Sequence, residues 1–132
     1  MDLSKFDTSA ANEASVSLTL VDPSTGEDLA NDGKKTKIWL VGKDSKEFRA
    51  FKMEQANKYR QKQPTPAQNE RMSIEVLVRC TRRLENVLVD GVLLEHSFET
   101  TFDLYKRFGF IKDQVDEFIV DNNNFLGNSP AA

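Results

Sequence analysis

Between Ser15 and Val21 apolar and polar positions alternate, with Val16, Leu18 and Leu20 on one side and Ser17 and Thr19 on the other. A period of two predicts a strand with one buried face. Asp22-Pro23-Ser24-Thr25-Gly26 follows as a turn, because proline presets φ and glycine accepts positive φ. Asn31-Asp32-Gly33-Lys34 reads as a second turn. From Lys35 to Val41 the alternation returns, with Ile38 and Leu40 facing one way and Trp39 and Val41 the other. Two such strands with turn residues between them predict an antiparallel pairing. Trp39 is left on the far face of the second strand, where a packing role is expected.

The period then changes to that of helices. Asp44 as N-cap with Glu47 three residues on predicts a capping-box-like start, and Phe48, Phe51, Gln55, Ala56 and Tyr59 form one stripe. Thr65 as cap, Pro66 at the first helical position and Gln68 predict the next start. Ile74, Leu77, Val78 and Thr81 then fall at i, i+3, i+4 and i+7. Ile74, Val76, Val78 and Cys80 also alternate like a strand, but the start signal and the segment's length favour helix. Asp90-Gly91 between Leu88-Val89 and Val92-Leu93 is a hairpin signal. Ser97 offers an N-cap to a helix carrying Phe98, Phe102, Leu104 and Tyr105, with Gly109 expected to end it in the left-handed region. A last helix is expected from about Phe110 to Asn122, with Ile111, Val115, Phe118 and Ile119 on one face and Phe125 and Leu126 tucking back.

The expected fold class is therefore α+β, with a small antiparallel β-hairpin element near the N-terminus, about four helices, and a predominantly helical C-terminal two-thirds. Residues 1–14 read as a flexible arm pinned at Phe6, residues 15–126 as one domain, and residues 127–132 as a disordered tail. The length of 132 residues suits a single domain that folds without disulfide or metal.

Composition narrows the chemistry. One histidine and one cysteine cannot build a structural zinc site, and no glycine-rich nucleotide loop or nucleophile elbow occurs. Cys80 lies in an apolar stretch and reads as a small core residue, and His96, beside a helix start, as a surface or capping residue. No catalytic, cofactor-binding or metal-binding set is expected. No apolar run reaches the roughly 18 residues of a membrane span. Nor does the N-terminus carry a secretory pattern. Charge is segregated: residues 1–42 carry net −3, residues 43–83 net +6, and residues 84–132 net −6. A basic middle and an acidic end can neutralise each other within one chain or between copies.

The order of these features resembles the small tail assembly chaperones of long-tailed, non-contractile bacteriophages. The matching elements begin with Ser4-Lys5-Phe6-Asp7, then Asp22-Pro23-Ser24-Thr25-Gly26-Glu27 with Asp32-Gly33-Lys34. Gly42-Lys43-Asp44-Ser45 opening a basic helix and Val89-Asp90-Gly91 follow. The closing stretch is the most specific: Leu104-Tyr105-Lys106-Arg107-Phe108, then Ile111 to Ile119, then Asn124-Phe125-Leu126. The family often has Pro-Trp where this chain has Gly109-Phe110. The resemblance implies a non-catalytic factor that coats the tape measure protein, keeps it soluble and recruits tail tube (major tail) subunits. It also implies self-association along the tape measure, action in the host bacterial cytoplasm, and absence from the mature virion.

On that reading the partner-binding surface is expected on the basic helix, through Phe48, Arg49, Phe51, Lys52 and Tyr59, and secondly on the last helix, through Phe110, Val115 and Phe118. For any one of these residues a place in the core is the stronger expectation. Two other functions compete. One is a small nucleic-acid-binding or regulatory protein using the basic helix over residues 45–62, against which the pI of about 5.2 argues. The other is a minor structural virion protein of the tail or the head–tail joint.

Overall fold

In a computed structural model, the structure describes residues 2–6 and 12–126. The expected tail, 127–132, and residues 1 and 7–11 of the expected arm lie outside the described residues. Helix accounts for about 48% and strand for about 19%, with an antiparallel sheet near the N-terminus, so the fold is α+β as the patterning predicts.

The strands come first. β1 (Val16–Thr19) and β4 (Lys37–Leu40) pair antiparallel, with Val16 opposite Leu40 and Thr19 opposite Lys37. Between them β2 (Ala30–Asn31) and β3 (Lys34–Lys35) form a small hairpin around Asp32 and Gly33, both at positive φ. That conformation is the reason for Asp-Gly at a two-residue turn. A third strand that the pattern does not predict, β5 (Thr81–Glu85), pairs with the other side of β4, so the sheet order is β1-β4-β5. Its alternation is hidden by a bulge. Thr81 faces Leu40 and Arg83 faces Trp39, so Arg82 is the extra residue; both arginines are exposed while Thr81 and Leu84 are buried. β6 (Leu88–Val89) and β7 (Val92–Leu93) form the hairpin expected from Asp90-Gly91.

Among the described residues five α-helices follow the numbering α1 (Lys46–Lys58), α2 (Pro66–Arg79), α3 (Phe98–Arg107), α4 (Gly109–Val120) and α5 (Asn123–Leu126). Leu3–Phe6 adds a turn of 3₁₀ helix. The caps at α2 and α3 are those expected: Thr65 with Gln68 in a complete capping box, and Ser97 accepting from the Thr100 N–H at 3.1 Å. Two boundaries differ from expectation. Ser45, not Asp44, caps α1, accepting from the Phe48 N–H at 3.3 Å. The Asp44 carboxylate is instead taken up by Asn122 Nδ2 (3.2 Å) and Arg49 (3.7 Å). Gly109 is not a left-handed terminator but the first residue of α4; the break between α3 and α4 falls on Phe108, at φ −113° and ψ 87°. α2 stops at Arg79, so Thr81 belongs to β5 and not to the helix.

α2 is the hub, touching α1, α3, α4 and β5. Ile74, Val76, Leu77 and Val78 are all buried, with Ile38, Leu40 and Leu20 of the sheet side, Leu104 and Tyr105 of α3, and Val115 and Ile119 of α4 in the same core. Tyr105 Oη lies 2.6 Å from Thr81 Oγ1, which donates to the Leu77 carbonyl at 2.8 Å, so the buried hydroxyls are satisfied. Trp39, on the opposite face of the sheet, is half-buried and donates from Nε1 to Glu85 at 3.2 Å.

Three distant segments meet at Gly42. Within the span read as an arm, Asn12 is fully buried. Its carbonyl accepts from the Gly42 N–H (2.9 Å), its Oδ1 accepts from the Asp44 N–H (3.1 Å), and its Nδ2 donates to Asn122 (3.3 Å). A Cβ built on Gly42 would sit 1.6 Å from Asn12 Oδ1 and 3.1 Å from Asn12 Cβ, so only glycine fits while Asn12 holds this rotamer. Gly42→Ala is therefore expected to destabilise the fold by about 1–3 kcal/mol, through displacement of a buried amide from its partners. Denaturant melts of Gly42→Ala, Asn12→Ala and the double variant check this: coupling predicts a double loss smaller than the sum of the singles.

Candidate protein-interaction surface

The β6–β7 hairpin carries apolar residues in adjacent pairs, Leu88-Val89 and Val92-Leu93. Neighbouring residues on a strand point to opposite faces, so such pairs cannot all be buried by one core. The structure bears this out: Val89 packs against the core, whereas Leu88 is 46% exposed and Val92 and Leu93 are each 59% exposed. Leu88 stands opposite Leu93 in the register.

The hairpin is held from below. Arg107 at the end of α3 donates from both terminal nitrogens to Asp90 in the hairpin turn, at 2.7 and 3.3 Å. This fork holds the Asp90 carboxyl below its usual value and raises Arg107. The same guanidinium stacks over the Phe108 ring at 5.0 Å, and Phe108 meets Phe110 edge-to-face at 6.3 Å. Two grooves flank this platform. One, of about 280 Å³, lies between the β2–β3 hairpin and the α3–α4 corner, and includes Leu29, Val87, Leu88 and Phe110. The other, of about 260 Å³, runs along α3 past Leu94, Asp103 and Arg107. Val89 and Phe108 line both. Beyond them Phe98, 45% exposed, stacks on Phe102 at 5.9 Å. The result is an apolar surface of shallow, open form, suited to another protein's side chains.

The residues expected to bind partners are distributed differently. On α1, Phe51 is buried against Arg79, whose guanidinium lies 5.0 Å above its ring, so it is core. Phe48 is half-buried beneath Lys52 (5.4 Å), and Tyr59 is half-buried beneath Lys58 (5.5 Å). Arg49 and Lys52 are exposed. On α4, Val115 is fully buried and belongs to the core. Phe118 is half-buried, meeting Phe125 edge-to-face at 5.5 Å, and lines a separate groove beside β1. Phe110 alone of the eight joins the hairpin platform. Leu88, Val92 and Leu93 were missed, although the paired apolar residues around Asp90-Gly91 were the available signal.

The basic helix keeps part of its charge. Arg82 pairs with Glu47 at 2.6 Å and Arg79 with Glu54 at 3.0 Å, which removes both acids of α1. Lys46, Lys52 and Lys58 have no ion pair among the described residues. Cys80 is a core residue, its thiol pushed up to about 12 chiefly by burial, with the Glu47 charge adding to it. At neutral pH it is therefore protonated and a poor nucleophile. No group of three or more histidine, cysteine or acidic side chains that could hold a metal occurs among the described residues.

His96 Nδ1 lies 2.6 Å from the buried Thr101 Oγ1, and burial lowers the ring's pKa. The fold thus favours the neutral ring. Its stabilising contribution is present above the ordinary histidine value and is lost as pH falls from there through the lowered value of the folded state. Melting temperature is expected to drop as pH falls below about 6.5, and the drop should shrink in His96→Gln. For the platform, Leu88→Lys with Val92→Lys should leave stability within about 0.5 kcal/mol, as for exposed surface. Phe108→Ala, which removes a ring packed against the core, should cost about 2–4 kcal/mol in the same denaturant melts. No protein-family model matches this chain, and neither a curated protein nor a solved structure shows significant similarity to it.

Proposed function

We propose that this chain is a non-catalytic assembly chaperone of a long-tailed bacteriophage, which coats the tape measure protein and recruits tail tube subunits. The exposed apolar hairpin is the observation that carries the reading: Leu88, Val92 and Leu93 stand in water on a platform braced by Arg107–Asp90 and flanked by two grooves. Apolar side chains held out on a rigid support serve a partner better than they serve the monomer. A long helical partner offers the same stripe repeatedly, so modest contacts by many copies give a stable coat. The resemblance to phage tail assembly chaperones, carried by motifs from Ser4 to Leu126, is the ground for proposing the tape measure protein as that partner. The segregated charges provide a means for neighbouring copies to meet along it.

No helix of the described residues is long and apolar enough to cross a membrane. The proposed place of action is the host cytoplasm, with release before the virion is finished.

Co-expression of the tagged chain with the phage's own tape measure and tube proteins tests the reading. A soluble complex containing both is expected, and Leu88→Lys with Val92→Lys should abolish it while the chain itself stays folded. Recovery of salt-sensitive nucleic acid and neither protein would sink the proposal in favour of binding through Lys46, Lys52 and Lys58, since counterion release makes phosphate binding fall steeply with salt. Stoichiometric presence of the chain in purified particles would instead make it a structural tail component.

A further inference from the structure

β1 is an edge strand, and the structure treats its outer side in an unusual way. The Leu20 N–H donates to the Thr36 carbonyl at 3.0 Å, in the same register that sets Leu18 opposite Ile38 and Val16 opposite Leu40. In an antiparallel ladder the backbone groups of alternate residues point to opposite sides. Ser17, Thr19 and Val21 therefore turn their N–H and C=O groups away from β4. Val21 is already occupied. Its N–H donates to Gln114 Oε1 at 3.0 Å and its carbonyl accepts from Gln114 Nε2 at 2.9 Å. The α4 carboxamide thus takes the place of a peptide group from a neighbouring strand. For Ser17 and Thr19, both only half-buried, no strand occupies that place among the described residues.

Beside this edge lies the groove of about 370 Å³ between β1 and α4, walled by Leu18 and Thr19 on one side and Phe118 on the other. Its rim carries Glu117 and Asp121, one helical turn apart and without an ion pair among the described residues. An edge with unpaired backbone groups is a template for strand addition, unless it is covered or marked by charge. Here the charge is negative and Leu18, Val21 and Phe118 supply the apolar part of a mixed lining, which selects the incoming strand.

We propose that β1 accepts an extended, basic segment of another protein as a fourth strand, paired through Ser17 and Thr19. One row of its side chains rests on Phe118, and its lysines or arginines lie beside Glu117 and Asp121. Main-chain hydrogen bonds give the attachment, while the apolar wall and the two carboxylates choose the sequence. Gln114 sets the register, because it closes the edge at Val21. This surface is separate from the hairpin platform and does not depend on the assembly reading.

The test uses the full chain and a capped peptide alternating valine and lysine, read by amide hydrogen exchange. Peptide should slow exchange of the Ser17 and Thr19 amides by about tenfold or more, while the opposite edge, at β5, stays unchanged. Thr19→Pro deletes an outward N–H without removing a bond to β4, and edge strands accept proline. It should abolish binding, while Thr19→Val retains it. Glu117→Gln with Asp121→Asn should weaken binding about tenfold, and this exposed pair keeps the test decisive if the proline variant does not fold. Unaltered exchange at Ser17 and Thr19, or equal binding by a peptide with glutamate in place of lysine, would overturn the proposal. So would concentration-dependent protection of these amides without peptide, which would assign the edge to a second copy of this chain.

Discussion

Everything else in this fold leans on the C-terminal half of α2, whose Ile74, Val76, Leu77 and Val78 are buried at the centre of the core. Val76, Leu77 and Val78 are consecutive and all buried, so more than half of the helix's circumference there faces the core, and Glu75 and Arg79 share what remains toward solvent. A helix buried over so wide an arc needs neighbours on several sides. It has them: α1 on one side, α3 and α4 on others, and β5 continuing directly from its end. The sequence ambiguity in this stretch has the same origin. Ile74, Val76, Val78 and Cys80 satisfy a strand's alternation, and Ile74, Leu77 and Val78 a helix's stripe, because a helix end buried over so wide an arc satisfies both. The Thr65–Gln68 capping box settled the matter locally, before any packing.

From that hub the two exposed surfaces follow by exclusion. α2 and the sheet consume one face of α4, including Val115 and Ile119, which leaves Phe118 half-buried at the margin beside β1. They likewise consume Phe51 of α1, leaving the helix's outer side to Lys46, Arg49, Lys52 and Lys58 together with the exposed Met53. The β6–β7 hairpin lies beyond the reach of this core. It is fastened through Val89, the Arg107–Asp90 fork and the Leu94-to-Val87 backbone bond at 2.8 Å, and its remaining apolar groups stay in water. An ion pair this exposed contributes little stability. Its service is geometric: a forked guanidinium held over the Phe108 ring fixes the direction in which the hairpin projects.

The expected interaction residues illustrate how far a stripe can be read. Phe48, Phe51 and Tyr59 share helical spacing, but spacing defines a face and not what that face meets. Phe51 met the core, while Phe48 and Tyr59 stayed half-buried with the ammonium groups of Lys52 and Lys58 over their rings. The hairpin was more legible than the helices in this respect. Adjacent apolar residues on a two-residue strand must diverge, so exposure of some of them is a local necessity that Leu88-Val89-Asp90-Gly91-Val92-Leu93 already carries.

What the sequence determined alone is what short-range chemistry determines. Thr65-Pro66 and Ser97 supply oxygens where the first turn of a helix leaves N–H groups unpaired, and Asp32-Gly33 and Asp90-Gly91 accept the positive φ of tight turns. Those signals act within three or four residues, and each fell where it was expected. What only the tertiary structure decided depends on residues far apart in the chain. β5 exists because β4 offers an edge, and a bulge at Arg82 lets two arginines point outward together. Gly42 is needed because Asn12 fills the space beside it. Asp44 loses the cap of α1 to Ser45 because Asn122 and Arg49 engage its carboxylate. In each case the local residues permit several conformations of similar energy, and a contact made across dozens of residues selects one.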